Sequence, residues 1–227
     1  MAALPVPIVP LLPLAGGEVL HEQIHSILKQ NLMSGRFRPG QKLVLRDLAA
    51  SLGTSLIPVR DALQRLESMG CVVSTPNRTM MVPELSAKQL RDIATLRIAL
   101  ETVTVERAAV ERSEEETATL RGHLEDIRRS AQENDLDLFL EANFHFHMMI
   151  AQMSRLSFIA QLLEPLWLHM GPVIRQTVPD EQLFRGVVTH HQDAYDAIVA
   201  RDPEAARSAI RMDILHGYPY GQEMAAG

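Results

Sequence analysis

The chain has 227 residues, of which 46% are apolar and only 4% aromatic, and this composition suits one large or two small globular domains. No stretch approaches the roughly 18 uninterrupted apolar residues that a membrane helix requires, which argues against a membrane protein. The single cysteine, Cys71, excludes an intramolecular disulfide. It fits a reducing cytoplasm, so we expect a cytoplasmic protein in which this thiol is a small buried hydrophobe.

The net charge of −6 is unevenly distributed along the chain. Residues 1–83 carry 8 Lys and Arg against 5 Asp and Glu, whereas residues 84–227 carry 14 against 23. The first segment is therefore the part that can approach a polyanion. Short, turn-rich elements before Pro83 also give way to long helical patterns from Ser86 onward. We therefore place a domain boundary at residues 83–86.

The first 17 residues are apolar, but four prolines interrupt them and they hold no Lys or Arg. They lack the features of a secretory signal and are interpreted as a flexible or docked arm. From Val19 to Met33 the apolar residues follow one helical stripe, and a short second helix is predicted from Leu43 to Leu52. A tight turn follows, and Ser55 is the predicted N-cap of a third helix.

The third helix contains a proline and an arginine near its start, in the sequence SLIPVRDALQRLESMG. Pro58 would lie in the first turn, where backbone N–H groups have no helical partner, so the missing donor costs little. The apolar spacing predicts a buried face of Val59, Ala62, Leu63, Leu66 and Met69. Leu56, Arg60 and Gln64 must then point outward. Two helices about a short turn, the second exposing an arginine, are the geometry that enters a DNA major groove.

Two short strands about a turn are predicted at Cys71–Ser74 and Thr79–Val82. Such a hairpin would form a wing with Arg78 at its tip, able to touch the minor groove or a phosphate. For Arg60 there is a plainer alternative, a surface salt bridge with Asp61 or Glu67.

The segment LVLRDLAASLGTSLIPVRDALQRLESMGCVVSTPNRTMMVP, residues 43–83, resembles the winged helix-turn-helix of GntR-type bacterial transcription regulators. By position, the resemblance implies DNA contacts from Arg46, Ser55, Arg60 and Arg78, to which the outward face of the third helix adds Leu56 and Gln64. Two residues depart from the family pattern, since Leu56 replaces a usual arginine and Thr79 a usual glycine of the wing turn. Leucine cannot hydrogen-bond guanine or phosphate but can contact a thymine methyl group. We therefore expect an unusual operator or weaker binding.

From Ser86 onward the pattern predicts six helices, at residues 86–112, 114–132, 135–153, 156–176, 180–200 and 203–217. Ser113 and Glu116 form a capping box, and Asp202 is an N-cap before a first-position proline. The predicted fold class is therefore mainly α. It comprises an N-terminal winged helix-turn-helix with a small β-hairpin wing in residues 18–83 and a C-terminal all-α helical bundle in residues 84–227.

Four polar residues lie on apolar stripes of these helices. Asn143 and His147 are one turn apart on one helix, whereas His145 faces away from them. If the last two helices are antiparallel, His191 and Asp213 stand equally far from the connecting turn and face each other. Asn143, His147, His191 and Asp213 have the ligand types and number for a divalent metal between bundle helices. The alternative is a buried polar network without metal.

The segments NFHFHMMIAQMS and HQDAYDAIVARDPEAARSAIRMDI resemble the FCD effector-binding domain of the FadR-type branch of GntR regulators. The family's metal ligands, one aspartate and three histidines, match these same four positions. This chain has Asn143 for the aspartate and Asp213 for the last histidine, which keeps the summed charge of the set. The resemblance implies a bound divalent metal, zinc or similar, with a harder preference because two ligands are oxygens. His216 is a candidate substitute ligand near Asp213.

Arg97 lies on an inward stripe of the first of these helices, within LRIALETV. A buried arginine requires an anion, and Glu101, one turn on, is one candidate. The other, implied by the family resemblance, is the carboxylate of an organic-acid effector held jointly by Arg97 and the metal. Trp167 is expected in the core.

These features predict a DNA-binding transcription regulator, and not an enzyme, whose operator binding responds to a small carboxylate effector. We expect a homodimer on double-stranded DNA, because two-fold operators require paired recognition helices. One alternative is a metal-dependent hydrolase-like enzyme, although no further carboxylate is placed as a general base. The other is an interaction module whose DNA-binding face has decayed, as the departures at Leu56 and Thr79 suggest.

Overall fold

The structure, a computed structural model, describes residues 18–76, 79–177 and 181–217. The predicted N-terminal arm and Arg78 at the predicted wing tip lie outside the described residues. The described residues up to Glu84, with Leu168–Val173, form one compact unit. Leu85–Trp167 and the described residues from Ile174 onward form a second unit.

The first unit consists of short helices and a small antiparallel sheet, whose elements in chain order are α1 (Glu18–Met33), β1 (Lys42–Leu43), α2 (Leu45–Ser51), α3 (Leu56–Ser68), β2 (Val73–Ser74) and β3 (Met80–Met81). The strand order is β1-β3-β2. The predicted hairpin of β2 and β3 is confirmed. The prediction that Leu43 begins a helix is wrong, because Leu43 pairs with Met80 in the sheet. This pairing joins segments far apart in the chain, and local periodicity does not report it.

The core of this unit follows the predicted stripes. The buried side chains are Ile24, Ile27, Leu28 and Leu32 of α1, then Leu48, Ala49 and Leu52 at α2, then Val59, Ala62, Leu63 and Leu66 of α3. Met69, predicted on the buried face of α3, is half-buried at the C-cap. Ser55 occupies the N-cap position of α3, but its side chain makes no capping hydrogen bond. Cys71 is buried, as expected of a small hydrophobe.

The elements from Leu85 onward are all helices in the described residues: α4 (Ala87–Glu111), α5 (Glu114–Glu133), α6 (Leu136–Met153), α7 (Ile159–Thr177), α8 (Glu181–Ala200) and α9 (Pro203–His216). They belong to the second unit except for Leu168–Val173 of α7, which belong to the first. The six predicted helices are confirmed, with α7 starting three residues later than predicted. The Ser113 to Glu116 capping box and the Asp202 N-cap are both present.

Helix packing in the second unit brings four helices around one point. α9 packs against α4 and α8, and α6 packs against α4 and α5. The buried apolar residues of these helices include Ala94, Val105, Phe146 and Ile210. No helix in the described part of the chain is long and apolar enough to cross a membrane.

Candidate metal centre and DNA-contacting helix

The four polar residues predicted to meet in the helical unit do meet. Asp213 of α9 lies between two histidines, with Oδ2 at 3.2 Å from His147 Nε2 and Oδ1 at 3.1 Å from His191 Nδ1. Asn143 Oδ1 is 2.7 Å from His191 Nε2. All four side chains are buried. His147, His191 and Asp213 each offer a ligand atom, and these atoms lie within 4.8 Å of one another.

Other contacts hold the Nδ1 atoms of the two histidines. His147 Nδ1 is 2.6 Å from Glu101 Oε2, and because a carboxylate only accepts, this nitrogen donates. His191 Nδ1 likewise donates to the carbonyl of Val187 at 2.8 Å. Metal-binding histidines are commonly held in this way, through one ring nitrogen bound to a carboxylate or backbone carbonyl. The two Nε2 atoms in turn face oxygens of Asp213 and Asn143, at 3.2 and 2.7 Å. These nitrogens and oxygens are the candidate ligand atoms.

Glu101 is the main feature of this site that the sequence pattern does not reveal. The pattern presents it only as a partner of Arg97, and the structure confirms that pairing, with Arg97 Nε 2.6 Å from Glu101 Oε1. Its second oxygen binds His147, so Glu101 connects α4 to α6. The available signal was the burial of an acid one turn after a buried arginine, but the contact with His147 depends on how two helices pack.

Buried charges set the pKa values of this cluster. Burial raises the pKa of the Glu101 carboxyl, but the charges of Arg97 and His147 lower it by more, and the net shift is downward. Burial likewise raises the pKa of Asp213, and the imidazoles of His191 and His147 bring it well below its usual range. For His147 burial lowers the pKa, and Glu101 and Asp213 raise it above its ordinary value. Both carboxylates are therefore ionised at neutral pH.

A small cavity of about 20 Å³ adjoins the cluster and is lined by Asn143, Asp213, Arg97 and Trp167 among others. This volume is sufficient for about one water molecule. The Arg97 guanidinium lies over the Trp167 ring, 3.7 Å from its centre. Trp167 is buried with Ala151, Ile159 and Leu163, which confirms its place in the core, and it also forms part of the cavity wall.

Two other histidine predictions have different outcomes. His145 is half-buried and stacks on His123, with ring centres 5.6 Å apart, so it faces away from the cluster as predicted. His216 is exposed, and its Nδ1 lies 2.5 Å from His190 Nε2. The suggestion of His216 as a substitute ligand is wrong for this arrangement, because its ring turns toward His190 at the surface rather than toward the buried cluster.

The predicted DNA-contacting residues that the structure describes lie on the surface of the first unit. Arg46, Ser55, Leu56, Arg60 and Gln64 are all exposed. The salt-bridge alternative for Arg60 is not found among the described residues. Asp61 pairs with His21 at 3.2 Å, and Glu67 accepts a hydrogen bond from the Ser74 hydroxyl. The Arg60 guanidinium is therefore presented to solvent from the first turns of α3.

An exposed arginine on the second helix of a helix-turn-helix, a small wing sheet and a helical unit with a buried cluster define a class, the DNA-binding transcription regulators with a helical sensor unit. Residues 20–82 match the family described as bacterial regulatory proteins, gntR family, and residues 92–216 match the FCD domain. The chain belongs to this family, the GntR regulators that carry an FCD domain.

The similar proteins that carry a name are also transcription regulators. The chain is 29% identical over 191 residues to the HTH-type transcriptional regulator McbR of Escherichia coli strain K12, covering 83% of this chain and 86% of McbR. It is 26% identical over 195 residues to the HTH-type transcriptional repressor RspR of the same strain, covering 84% of each. The solved structure of E. coli McbR/YncC aligns with a TM-score of 0.81 at 27% identity, covering 91% of this chain and 95% of that one.

Proposed function

We propose that this regulator binds operator DNA through the outward face of α3, and that a small carboxylate held beside a divalent metal in the helical unit modulates that binding. The observation that carries the proposal is the convergence of His147, His191 and Asp213 on one buried point. Three ionisable side chains from three helices, all inside the bundle, are a costly arrangement for stability alone. They suit a ligand-sensing role.

The DNA-binding part of the proposal is supported by the charge and exposure of the first unit. Arg46 and Arg60 are both exposed, and within the described residues neither forms an ion pair. Guanidinium groups that no carboxylate neutralises can contact phosphates or the O6 and N7 atoms of guanine. The excess of basic residues before Pro83 favours approach to a polyanion.

The metal part is supported by the donor set and by unfilled bonding capacity. Within the described residues, His147 Nε2 and Asp213 Oδ1 are buried and make no hydrogen bond of good geometry, although each lies 3.1 to 3.2 Å from a charged partner in the cluster. Buried polar atoms usually have a well-formed hydrogen bond, and a bound ion can take its place. Two imidazoles and a carboxylate match the preference of zinc and similar divalent ions, with Asn143 as a further oxygen donor. Bound there, the ion would supply a positive charge that attracts a carboxylate.

The effector part is supported by the residues around the cavity. Arg97 lines it together with Asn143 and Asp213, so a carboxylate that reached the metal would lie next to a guanidinium. A cavity of about 20 Å³ is too small for an organic acid, so binding requires side chains to move. An effector that binds only the rearranged form shifts the population toward it, which is how it would alter DNA binding.

Homodimerisation is supported by an exposed stripe on α4. Leu96, Val103 and Val110 are 51%, 46% and 56% exposed and are spaced by seven residues, so they lie on one side of the helix. The stripe is symmetric about Val103. Two copies of α4 packed antiparallel about a two-fold axis would place Val103 on its own copy and Leu96 on the partner's Val110, the self-matching pattern of an isologous interface.

Replacing Val103 by glutamate is expected to convert the dimer to a monomer, because two carboxylates would face each other at the two-fold axis. Light scattering coupled to gel filtration measures the change directly. Val199→Glu is the matched control, since Val199 is 39% exposed on α8, and this variant should stay dimeric. A dimer that persists in Val103→Glu would show that α4 is not the interface.

Selection from a pool of random duplex DNA tests the proposed function as a whole. The wild-type chain should enrich a two-fold related sequence. Its affinity for that duplex should fall at least about tenfold between 50 and 200 mM salt, since several phosphate contacts release counterions. A pool that stays random after repeated rounds would contradict DNA binding.

A further inference from the structure

The DNA-reading end of α3 carries two exposed apolar side chains. Leu56 is 37% exposed and Ile57, the next residue, is 61% exposed. In the described part of the first unit the other large exposed hydrophobic residues are Val44 and Val73. Ile57 is the most exposed of the four. Leu56 and Ile57 are adjacent, and exposed apolar side chains that adjoin one another can mark an interaction site.

Helical geometry places Leu56 and Ile57 beside the candidate DNA-contacting residues. At about 100° per residue, Leu56, Arg60, Gln64 and Ile57 fall within an arc of about 100° on α3, in that order. The core residues Val59, Ala62, Leu63 and Leu66 occupy another arc of about 100°. That arc borders Leu56, and its centre lies nearly opposite Ile57. Ile57 therefore lies near the centre of the outward face, and Arg60 lies between the two apolar residues.

The neighbouring side of α3 is already paired within the same unit. Asp61 pairs with His21 and Arg65 Nη1 with Glu22 Oε1, at 3.2 and 2.6 Å, and both partners belong to α1. These ion pairs hold α1 against the side of α3 that follows Ile57 around the helix. Leu56 and Ile57 remain outside this contact, on the face that presents Arg60.

We propose that Leu56 and Ile57 read the 5-methyl groups of thymine in the operator's major groove, next to the phosphates or guanines that Arg60 contacts. The inference rests on the proposed DNA binding and names the base that these two residues select. Among the bases, thymine alone presents a methyl group in the major groove. The amino group of cytosine or adenine placed against these side chains would lose its hydrogen bonds to water without gaining a partner. Ile57 suits this readout because its branched Cβ restricts its rotamers.

Replacing single thymines by deoxyuridine tests the inference, because the change removes only the methyl group and keeps every hydrogen bond. The duplex is the one selected by the wild-type chain, and affinity is measured by fluorescence anisotropy. At contacted positions each replacement should weaken binding about fourfold, the ratio that corresponds to about 0.8 kcal/mol for one buried methyl group. Elsewhere in the site the replacement should have no effect.

The Ile57→Ala and Leu56→Ala variants assign the contacts. Each should lose the deoxyuridine effect at its own position while keeping it at the other, and both should fold normally because the side chains are exposed. Leu162→Ala, truncated at an exposed leucine of the helical unit, should respond as the wild type does. Binding that is unaffected by every thymine replacement, or a deoxyuridine effect that persists unchanged in both variants, overturns the inference while leaving DNA binding in place. A chain that binds no duplex at all contradicts the proposed function instead.

Discussion

Replacing Arg97 by methionine is expected to lower the free energy of unfolding of the helical unit by about 3 to 5 kcal/mol, the usual cost of removing one partner from a buried ion pair. Arg97 and Glu101 are each only 3% exposed in their side chains, and their charged atoms are 2.6 Å apart. Without Arg97, Glu101 would stay buried with His147 as its remaining charged partner. Methionine fills most of the volume of the arginine side chain. The expected loss of stability therefore comes from the missing charge rather than from a cavity.

Lys88→Met provides the matched control on the same helix. Lys88 and Asp92 have the same spacing of four residues and the same separation of 2.6 Å, but their side chains are 78% and 54% exposed. Exposed pairs of this kind contribute little, so this variant should unfold as the wild type does. The stability of both variants is measured by urea unfolding, monitored through the fluorescence of Trp167, the chain's single tryptophan. Equal stability of the two variants would show that the Arg97 charge is not needed for folding.

Removing His191 is expected to abolish stoichiometric metal binding. Removing a hydrogen-bond partner of a metal ligand lowers the metal affinity about 10- to 100-fold. Removing a ligand itself should therefore lower the affinity by at least about 100-fold. Equilibrium dialysis against zinc, manganese and nickel, followed by metal analysis, measures one ion per chain in the wild type and none in His191→Ala. The same loss is expected in His147→Ala.

The neighbouring residue supplies the control for this experiment. His190 is half-buried and pairs with His216 rather than with the cluster, so His190→Ala should retain the ion. The wild type should also gain about 2.7 kcal/mol of stability when free metal is 100 times its dissociation constant, and His191→Ala should gain none. A wild-type chain that emerges from dialysis without metal would establish the cluster as a buried polar network.

The helices and the faces they bury are largely readable from the sequence, because each depends on apolar spacing within one segment. The periodicity that put His147, His191 and Asp213 on inward faces needed no knowledge of the partner helices. Their meeting could be expected once α8 and α9 were taken as antiparallel about a short turn. The capping residues Ser113 and Asp202 fixed where two of these helices begin.

The features that the sequence pattern did not predict depend on contacts between distant segments of the chain. Strand β1 exists because Lys42 and Leu43 pair with β3, and nothing in the local pattern distinguishes these residues from the start of α2. Glu101 reaches His147 only because α4 and α6 pack together. The direction of the His216 ring is likewise set by His190 on another helix. In each case the local pattern identifies the residue, and the tertiary packing supplies its partner.

In the function that we propose, the outward face of α3 binds DNA through Arg60. The most direct test is the affinity of the selected duplex for wild type and Arg60→Ala at 50 and 200 mM salt, with Arg129→Ala, changed at an exposed arginine of the helical unit, as the control. We predict that Arg60→Ala binds at least about tenfold more weakly than wild type, while Arg129→Ala and wild type bind equally and lose affinity steeply with salt. An affinity of Arg60→Ala equal to that of wild type at both salt concentrations would contradict DNA binding through Arg60.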